Sequence, residues 1–229
     1  MRVHSFCPIA EGPFPAVIFY SEIFQVTGPI RRMAAALAGE GYWVVVPEVY
    51  HEFEELGTVL AYDQAGSERG NELKYAKELS SYDEDVDVLA KYLLGHESCT
   101  GRIASYGVCL GGHLAVRAAL HEAVSAAVAF YPTDLHSATL GAGKSDDTLK
   151  RIGETGASLL FVFGRQDPHI PQEGRAAIRA RLEDVEADFE WHEFNAAHAF
   201  LRDEGPRYNP ALARVCESLM LRFLAEKIG

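Results

Sequence analysis

The chain contains 229 residues, of which 48% are hydrophobic and 24% are charged, a balance typical of a globular protein. Its formal net charge of −12 at pH 7 argues against a nucleic-acid partner and against binding to an anionic membrane surface. This length suits one domain over residues 1–229 with a large core, since α/β folds often reach it undivided.

The sequence contains no run of about 18 apolar residues and no signal-peptide-like apolar stretch near Met1, so we expect no membrane partner. The four cysteines, Cys7, Cys99, Cys109 and Cys216, form no C-x-x-C pair and no evident disulfide framework. These features predict a cytoplasmic protein, because a thiol stays available in a reducing compartment. A monomer and a small homo-oligomer are both compatible with the sequence.

Short apolar runs alternate with helical patterns along the chain, which is typical of βαβ units and of an α/β fold with a mainly parallel sheet. The predicted strands are, in chain order, Ala16–Tyr20, Tyr42–Val46, Arg102–Tyr106, Val124–Phe130, Leu159–Phe163 and Phe189–Phe194. The predicted helices are Pro29–Gly39, Asp83–Leu94, His113–Leu120, Gln172–Leu182 and Pro210–Lys227.

The segment His51–Ser80 differs from the rest of the chain. It is rich in Glu and Gly, lacks a strong apolar period and lies between a predicted strand and a predicted helix. In an α/β sheet such an insertion emerges at the ligand-binding edge or caps it. A solvated surface excursion is equally compatible with this composition.

The stretch Tyr106–His113 reads Tyr-Gly-Val-Cys-Leu-Gly-Gly-His and joins a predicted strand to a predicted helix. This is the context of a nucleophile elbow, with Cys109 at the nucleophile position. Glycines two residues on either side remove side chains that would collide across the sharp turn, and the N-terminus of the next helix favours a thiolate. A cysteine beside glycines is also a common small core residue, so the pattern alone leaves both interpretations open.

A nucleophilic cysteine needs a base, and the base needs an acid that orients it. Asp167 lies in the segment Gly164–Pro168, which directly follows the predicted strand Leu159–Phe163, and His198 lies in the loop after Phe189–Phe194. Taken singly, Asp167 could be a turn residue before a proline, and His198 could be one of nine ordinary histidines. The order nucleophile, acid, histidine, each just past a strand, is that of α/β-hydrolases and favours a catalytic triad.

An oxyanion hole is expected from two backbone N–H groups, one after the nucleophile and one after an early strand. In this sequence they belong to Leu110 and Ile23. The histidines and carboxylates show no H-E-x-x-H or comparable ligand spacing, and the glycines lack the G-K-[ST] of a phosphate loop. We therefore expect neither a metal nor a cofactor.

Four motifs together resemble the dienelactone hydrolase family, and the similarity extends from about Pro15 to the C-terminus. They are Ser21–Phe24, Gly107–Gly112, Gly164–Asp167 and His198–Arg202. The resemblance implies an α/β-hydrolase fold with a Cys-His-Asp triad. It also implies a small-molecule substrate, a lactone or an ester that can carry a carboxylate, because the family's best-known activity opens the lactone ring of dienelactones.

The resemblance assigns roles to four further residues. Glu22 matches a glutamate that contacts the resting thiol and helps to control when the thiolate forms, and Arg202 matches an arginine that binds the substrate carboxylate. Tyr131 lies where the family often places an active-site aromatic. Arg69 is the one candidate for a second carboxylate-binding arginine, and an ordinary solvated charge among glutamates is the competing interpretation. Family members usually begin with further strand residues before Arg2–Phe6, so a shortened N-terminal edge of the sheet is expected.

Three other functions remain compatible with the sequence. The chain could be a general carboxylesterase, or a non-hydrolytic protein of the same fold that binds a small molecule, since fold does not determine function. Redox sensing by Cys109 is the third, because a low-pKa thiol is oxidisable. No resolving cysteine is evident, since Cys99 lies ten residues back across the predicted strand.

Overall fold

A computed structural model describes residues 1–229 as one seven-stranded sheet with helices on both faces. The strands are β1 (Val3–Phe6), β2 (Phe14–Tyr20), β3 (Trp43–Pro47), β4 (Cys99–Val108), β5 (Val124–Phe130), β6 (Ser158–Gly164) and β7 (Phe189–Phe194). Their order in the sheet is β1-β3-β2-β4-β5-β6-β7, and every neighbouring pair is parallel except β1 with β3. The predicted mainly parallel α/β sheet is confirmed.

All helices but the last lie in connections between consecutive strands, and the last one follows β7. The helices are α1 (Gly28–Gly39), α2 (Gln64–Ala76), α3 (Leu79–Leu94), α4 (Leu110–Ala118), α5 (Thr148–Arg151), α6 (Gln172–Asp184) and α7 (Pro210–Ile228), with short 3-10 turns at Ala142–Lys144 and Ile152–Glu154. None of these helices is long and apolar enough to cross a membrane.

The buried parts of the central strands are mainly apolar because helices cover both faces of the sheet. All five residues of β3 are buried, and its run of three valines is typical of a parallel strand in a protein core. Burial of each valine side chain contributes roughly 1.5–3 kcal/mol to folding. All six residues of β7, at the sheet edge next to β6, are instead only partly buried or exposed, whereas β2 and β4 to β6 are largely buried.

At the other edge of the sheet, β1 pairs antiparallel with β3, with Val3 opposite Pro47 and Phe6 opposite Val44. No further strand lies outside β1, so this edge consists of a single short strand.

The segment His51–Ser80 contains a helix, α2, that was not predicted from the sequence pattern. Its first turn is capped by Asp63, whose side chain accepts a hydrogen bond from the Gly66 N–H at 2.8 Å. The inner face uses glycines: a Cβ on Gly70 would lie 2.6 Å from the Ile23 carbonyl oxygen. Because close backbone contact replaces apolar side chains there, α2 lacks the apolar period by which a helix is recognised.

Candidate active site

The carboxyl ends of the parallel strands bring the predicted catalytic residues to one edge of the sheet. Cys109 follows β4, Asp167 lies three residues after β6, and His198 lies four residues after β7. Since β4 is separated from β7 by β5 and β6, the loops after the last two strands must reach back toward the cysteine. All three side chains are buried.

Cys109 has the strained backbone of a nucleophile elbow. Its φ of 60° and ψ of −124° place it in a conformation that non-glycine residues rarely adopt, and α4 begins at the next residue. A Cβ on Gly107 would lie 1.9 Å from the Gly111 carbonyl oxygen, and a Cβ on Gly111 would lie 2.0 Å from the Tyr20 carbonyl oxygen. The glycines on either side of Cys109 are therefore required by close backbone contact.

We expect Gly111→Ala to destabilise the protein by about 3 kcal/mol or more, because the new methyl group must displace the backbone of β2. The control is Gly156→Ala, since no atom lies within 4 Å of a Cβ at that position. Its stability should stay near that of the wild type, or rise by about 0.4–1 kcal/mol. Urea unfolding followed by circular dichroism measures both variants, and equal stabilities would contradict the tight packing at Gly111.

His198 is held by a short hydrogen bond to Asp167. The distance from His198 Nδ1 to Asp167 Oδ2 is 2.6 Å, and the other carboxylate oxygen accepts the His169 backbone N–H at 2.8 Å. The rings of Tyr131 and His169 lie against the imidazole, with centroid distances of 5.0 and 4.6 Å. The Cys109 side chain is close enough to the imidazole to act on its pKa. The imidazole is thus oriented between the carboxylate and the thiol.

The charges around His198 change its proton affinity. Burial of the imidazole acts to lower its pKa, but interactions with Cys109 and Asp167 act in the opposite direction and prevail. Together these interactions raise the pKa of His198 to about 10. This environment favours the imidazolium form of His198.

Glu22 is a buried carboxylate at the same edge of the sheet. The Tyr62 hydroxyl donates a hydrogen bond to its Oε2 at 3.0 Å, and Arg202 Nη1 lies 3.7 Å from its Oε1. Burial raises the pKa of Glu22, while Arg202 and the Tyr62 hydrogen bond act against this and reduce the shift. The guanidinium of Arg202 also stacks over the Tyr62 ring at 4.1 Å from its centroid.

A cavity of about 600 Å³ opens above Cys109, and only five of its nineteen lining residues are hydrophobic. Glu22, Cys109, His198 and Arg202 all line it. Arg207 lines it too and makes no ion pair or side-chain hydrogen bond, so its charge is free for a ligand. A ligand here meets mainly polar groups and two guanidinium groups.

The two predicted oxyanion-hole residues lie beside Cys109. Ile23 lines the cavity, and its backbone N–H donates no hydrogen bond within the protein. Leu110 is the first residue of α4, so no carbonyl of the helix can accept its N–H. Both N–H groups are consequently available to a developing negative charge.

Two predicted substrate-binding residues lie elsewhere. Tyr131 is fully buried, does not line the cavity, and packs against His198 and Phe200. Arg69 also lies outside the cavity lining: its guanidinium pairs with Glu54 at 2.7 Å and with Glu72 at 2.8 Å. The structure therefore places Tyr131 behind the histidine and Arg69 among surface glutamates.

Several cavity residues were not predicted from the sequence: Tyr62, Asn71, Lys74, Thr133, Asp134, His136, His169 and Arg207. Thr133 and His169 lie within two residues of the predicted Tyr131 and Asp167, so the ends of β5 and β6 were a usable signal. Tyr62 and Lys74 belong to the segment around α2, where no periodicity marked an inner face. No group of three or more His, Cys, Asp or Glu side chains is arranged to hold a metal ion.

The sheet order, the strained turn after β4 and the polar cavity above it define a protein of the α/β-hydrolase fold. The chain belongs to the dienelactone hydrolase family, whose family model matches residues 1–228. The resemblance and the fold predicted from the sequence are thus confirmed, and the chain is a carboxylic ester hydrolase.

Individual relatives agree with this family. A Saccharomyces cerevisiae protein provisionally named a carboxymethylenebutenolidase is 43% identical over 241 aligned residues, which cover 100% of this chain and 86% of that protein. The carboxymethylenebutenolidase of Pseudomonas putida is 28% identical, with 94% of this chain and 87% of the relative covered. A crystal structure from Klebsiella pneumoniae, provisionally named a dienelactone hydrolase, matches with a TM-score of 0.77 and 26% identity over 98% of this chain and 92% of the other.

Proposed function

We propose that this enzyme hydrolyses a lactone or a small activated carboxylic ester through Cys109, His198 and Asp167. The observation that carries the proposal is the buried hydrogen bond of 2.6 Å between His198 and Asp167, next to a cysteine on a strained elbow. Cys109 and His198 line one cavity, and Asp167 orients the imidazole through its hydrogen bond.

The proposed reaction has two halves. The Cys109 thiolate attacks the ester carbonyl carbon, and the carbonyl oxygen takes the negative charge next to the N–H groups of Ile23 and Leu110. The C–O bond then breaks, the leaving oxygen takes the proton from His198, and a thioester remains on Cys109. Water, deprotonated by His198, attacks the thioester, and the carboxylic acid leaves as the thiolate re-forms.

Asp167 keeps the His198 imidazole in the orientation that this proton transfer needs. It accepts the Nδ1 proton, which leaves Nε2 for the thiol and for the leaving oxygen. Tyr131 helps to hold the imidazole in this orientation, because its ring packs against the imidazole ring. We propose a positioning role for Tyr131 and a structural role for Arg69.

Glu22 is proposed to control when the thiolate forms. Its buried carboxylate is held by Tyr62 and faces Arg202, the arginine that the family resemblance assigns to the substrate carboxylate. A substrate carboxylate that pairs with Arg202 competes with Glu22 for the same guanidinium. Substrate binding and the charge state of the nucleophile are therefore coupled through one arginine.

The polar lining favours a substrate that carries a carboxylate. Arg202 and Arg207 supply positive charge at the cavity, and an arginine is well suited to bind a planar carboxylate with two hydrogen bonds. The relatives named carboxymethylenebutenolidases act, by that name, on a lactone with a carboxylate side chain. We propose substrates of this kind for the present enzyme.

The test is a panel of small lactones and esters, each with and without a terminal carboxylate, assayed with the wild type and with Arg202→Gln. We expect Arg202→Gln to raise KM for the carboxylate-bearing members by about 10- to 100-fold, because a charge-assisted hydrogen bond contributes about 1.5–3 kcal/mol. The neutral members should change by less than about threefold, since they do not use the guanidinium.

Arg165→Gln is the matched control, because Arg165 is exposed and lies outside the cavity lining. Equal losses on charged and neutral substrates would remove Arg202 from carboxylate recognition. High activity on neutral esters alone would instead favour a general carboxylesterase, and no turnover of any member would contradict hydrolysis.

A further inference from the structure

Polar groups flank Cys109 on two sides, and the strand order keeps them apart. In the sheet, β4 lies between β2 and β5. Glu22 and Phe24 follow β2, and the Arg202 guanidinium stands over the Phe24 and Tyr62 rings on that side. A second polar group lies on the opposite side of the nucleophile. It consists of Thr133 and Asp134, which follow β5, and of Lys74 from α2, and the proposed reaction assigns it no role.

Thr133, a member of this second group, contacts the backbone of the nucleophile. Its backbone N–H donates a hydrogen bond to the Cys109 carbonyl oxygen at 3.3 Å. The residue is only 7% exposed and lines the catalytic cavity, yet its hydroxyl oxygen has no hydrogen-bond partner within the protein. A buried hydroxyl without a partner costs stability, so its retention beside the nucleophile points to a ligand.

Lys74 lies on α2 and reaches the same side of the cavity. Its ammonium group is 2.7 Å from Asp134 Oδ2, and the side chains of the pair are 8% and 10% exposed. Asp134 also accepts a hydrogen bond from Thr139, so its charge is compensated by the protein. Lys74 has three N–H donors, and the carboxylate occupies one of them, which leaves donors for the cavity.

We infer that Thr133 and Lys74 form a second substrate-binding subsite, which takes a hydrogen-bond-accepting oxygen at the end of the substrate opposite to its carboxylate. The two available donors select a hydroxyl, keto or similar oxygen on that side. This inference rests on the proposed function, because it assumes that the reactive ester lies over Cys109 between the two subsites. The inference narrows the proposed substrate class from any carboxylate-bearing ester to an ester that also carries a hydrogen-bond-accepting oxygen at the end opposite to its carboxylate.

Thr133, in the loop after β5, has separate roles for its backbone and for its side chain. The backbone of Thr133 supports the elbow through the Cys109 carbonyl, whereas its buried hydroxyl makes no hydrogen bond within the protein. Thr133→Val removes the hydroxyl and retains the shape and the backbone hydrogen bond. Lys74→Met is a weaker test, because it leaves the charge of Asp134 buried without its partner.

Binding of two matched amides tests the subsite without requiring turnover. The probes are N-phenyl glutaramic acid and N-(3-hydroxyphenyl) glutaramic acid, which share a carboxylate and differ by one hydroxyl group. Titration calorimetry should show that the wild type binds the hydroxylated probe about 5- to 10-fold more tightly, the effect of one hydrogen bond. Thr133→Val should bind both probes equally, and Thr133→Ser should restore the preference.

Lys91→Met is the control for Lys74→Met, because Lys91 is exposed on α3. This variant should keep the wild-type preference for the hydroxylated probe. Equal affinities in the wild type, or a preference that persists in Thr133→Val, would overturn the subsite. The corresponding phenyl esters, assayed with the wild type, report on hydrolysis separately. Lack of ester turnover with an intact binding preference would reject the proposed function and leave the subsite standing.

Discussion

Replacement of Cys109 by alanine should lower kcat for any ester or lactone substrate by about 10³-fold or more, because the proposed reaction then lacks its nucleophile. The fold should survive, since alanine is smaller and the strained backbone is supported by the glycines at 107 and 111. Turnover of an activated ester measures the loss. Intact-mass spectrometry after rapid mixing should show an acyl adduct on the wild type and none on the variant.

Cys99→Ala is the matched control, because Cys99 is a partly buried free cysteine at the start of β4 and far along that strand from the elbow. Its activity should equal that of the wild type. Full activity in Cys109→Ala would show that the proposed thioester is not an intermediate. A reversible disulfide at Cys109 after mild peroxide treatment, with no ester turnover, would instead favour redox sensing.

Replacement of Asp167 by asparagine should lower kcat by about 10²- to 10⁴-fold and change the pH profile. In the wild type, the proton of the imidazolium is lost as the pH rises through about 10, the pKa to which the site raises His198. We therefore expect kcat/KM to fall on the alkaline side near that pH. The hydrogen bond and charge of Asp167 both help to raise the pKa of His198, so Asp167→Asn should move this fall to lower pH.

The same shift has a consequence for stability. The pKa of His198 in the folded protein lies above the ordinary value of 6.5, so the imidazolium stabilises the fold fully below about pH 6.5. This contribution is lost as the pH rises through about 10. Asp184→Asn, at an exposed carboxylate on α6, is the control for both measurements. An alkaline limb at the same pH in Asp167→Asn and in the wild type would remove Asp167 from the control of His198.

The catalytic candidates could be predicted from sequence because each one lies within four residues of the end of a strand. Alternation of apolar strands with helices predicts a parallel sheet, and the carboxyl ends of parallel strands share one edge. Cys109, Asp167 and His198 were therefore expected together although up to 89 residues separate them along the chain, and the hydrogen bond from His198 to Asp167 agrees with that expectation. The glycines beside Cys109 marked the turn itself.

The substrate side of the site could not be predicted in the same way. Arg69 lies in the region expected to supply a second arginine, but its guanidinium is held by Glu54 and Glu72. The cation that α2 does bring to the cavity is Lys74, five residues later, where the helix turns a different face inward. Close backbone contacts at glycines such as Gly70 position this helix. The sequence pattern does not indicate which backbone segment a glycine will contact.

By itself, the sequence determined the sheet, the elbow and the order of the three proposed catalytic residues, because these depend on local periodicity and on residues near strand ends. Only the tertiary structure decided which side chains surround the substrate. Thr133 and Lys74 meet at the cavity although 58 residues lie between them, and Tyr131 turns away from it. Such neighbours are set by the packing of loops and of α2 across the sheet edge, and that packing leaves no period in the chain.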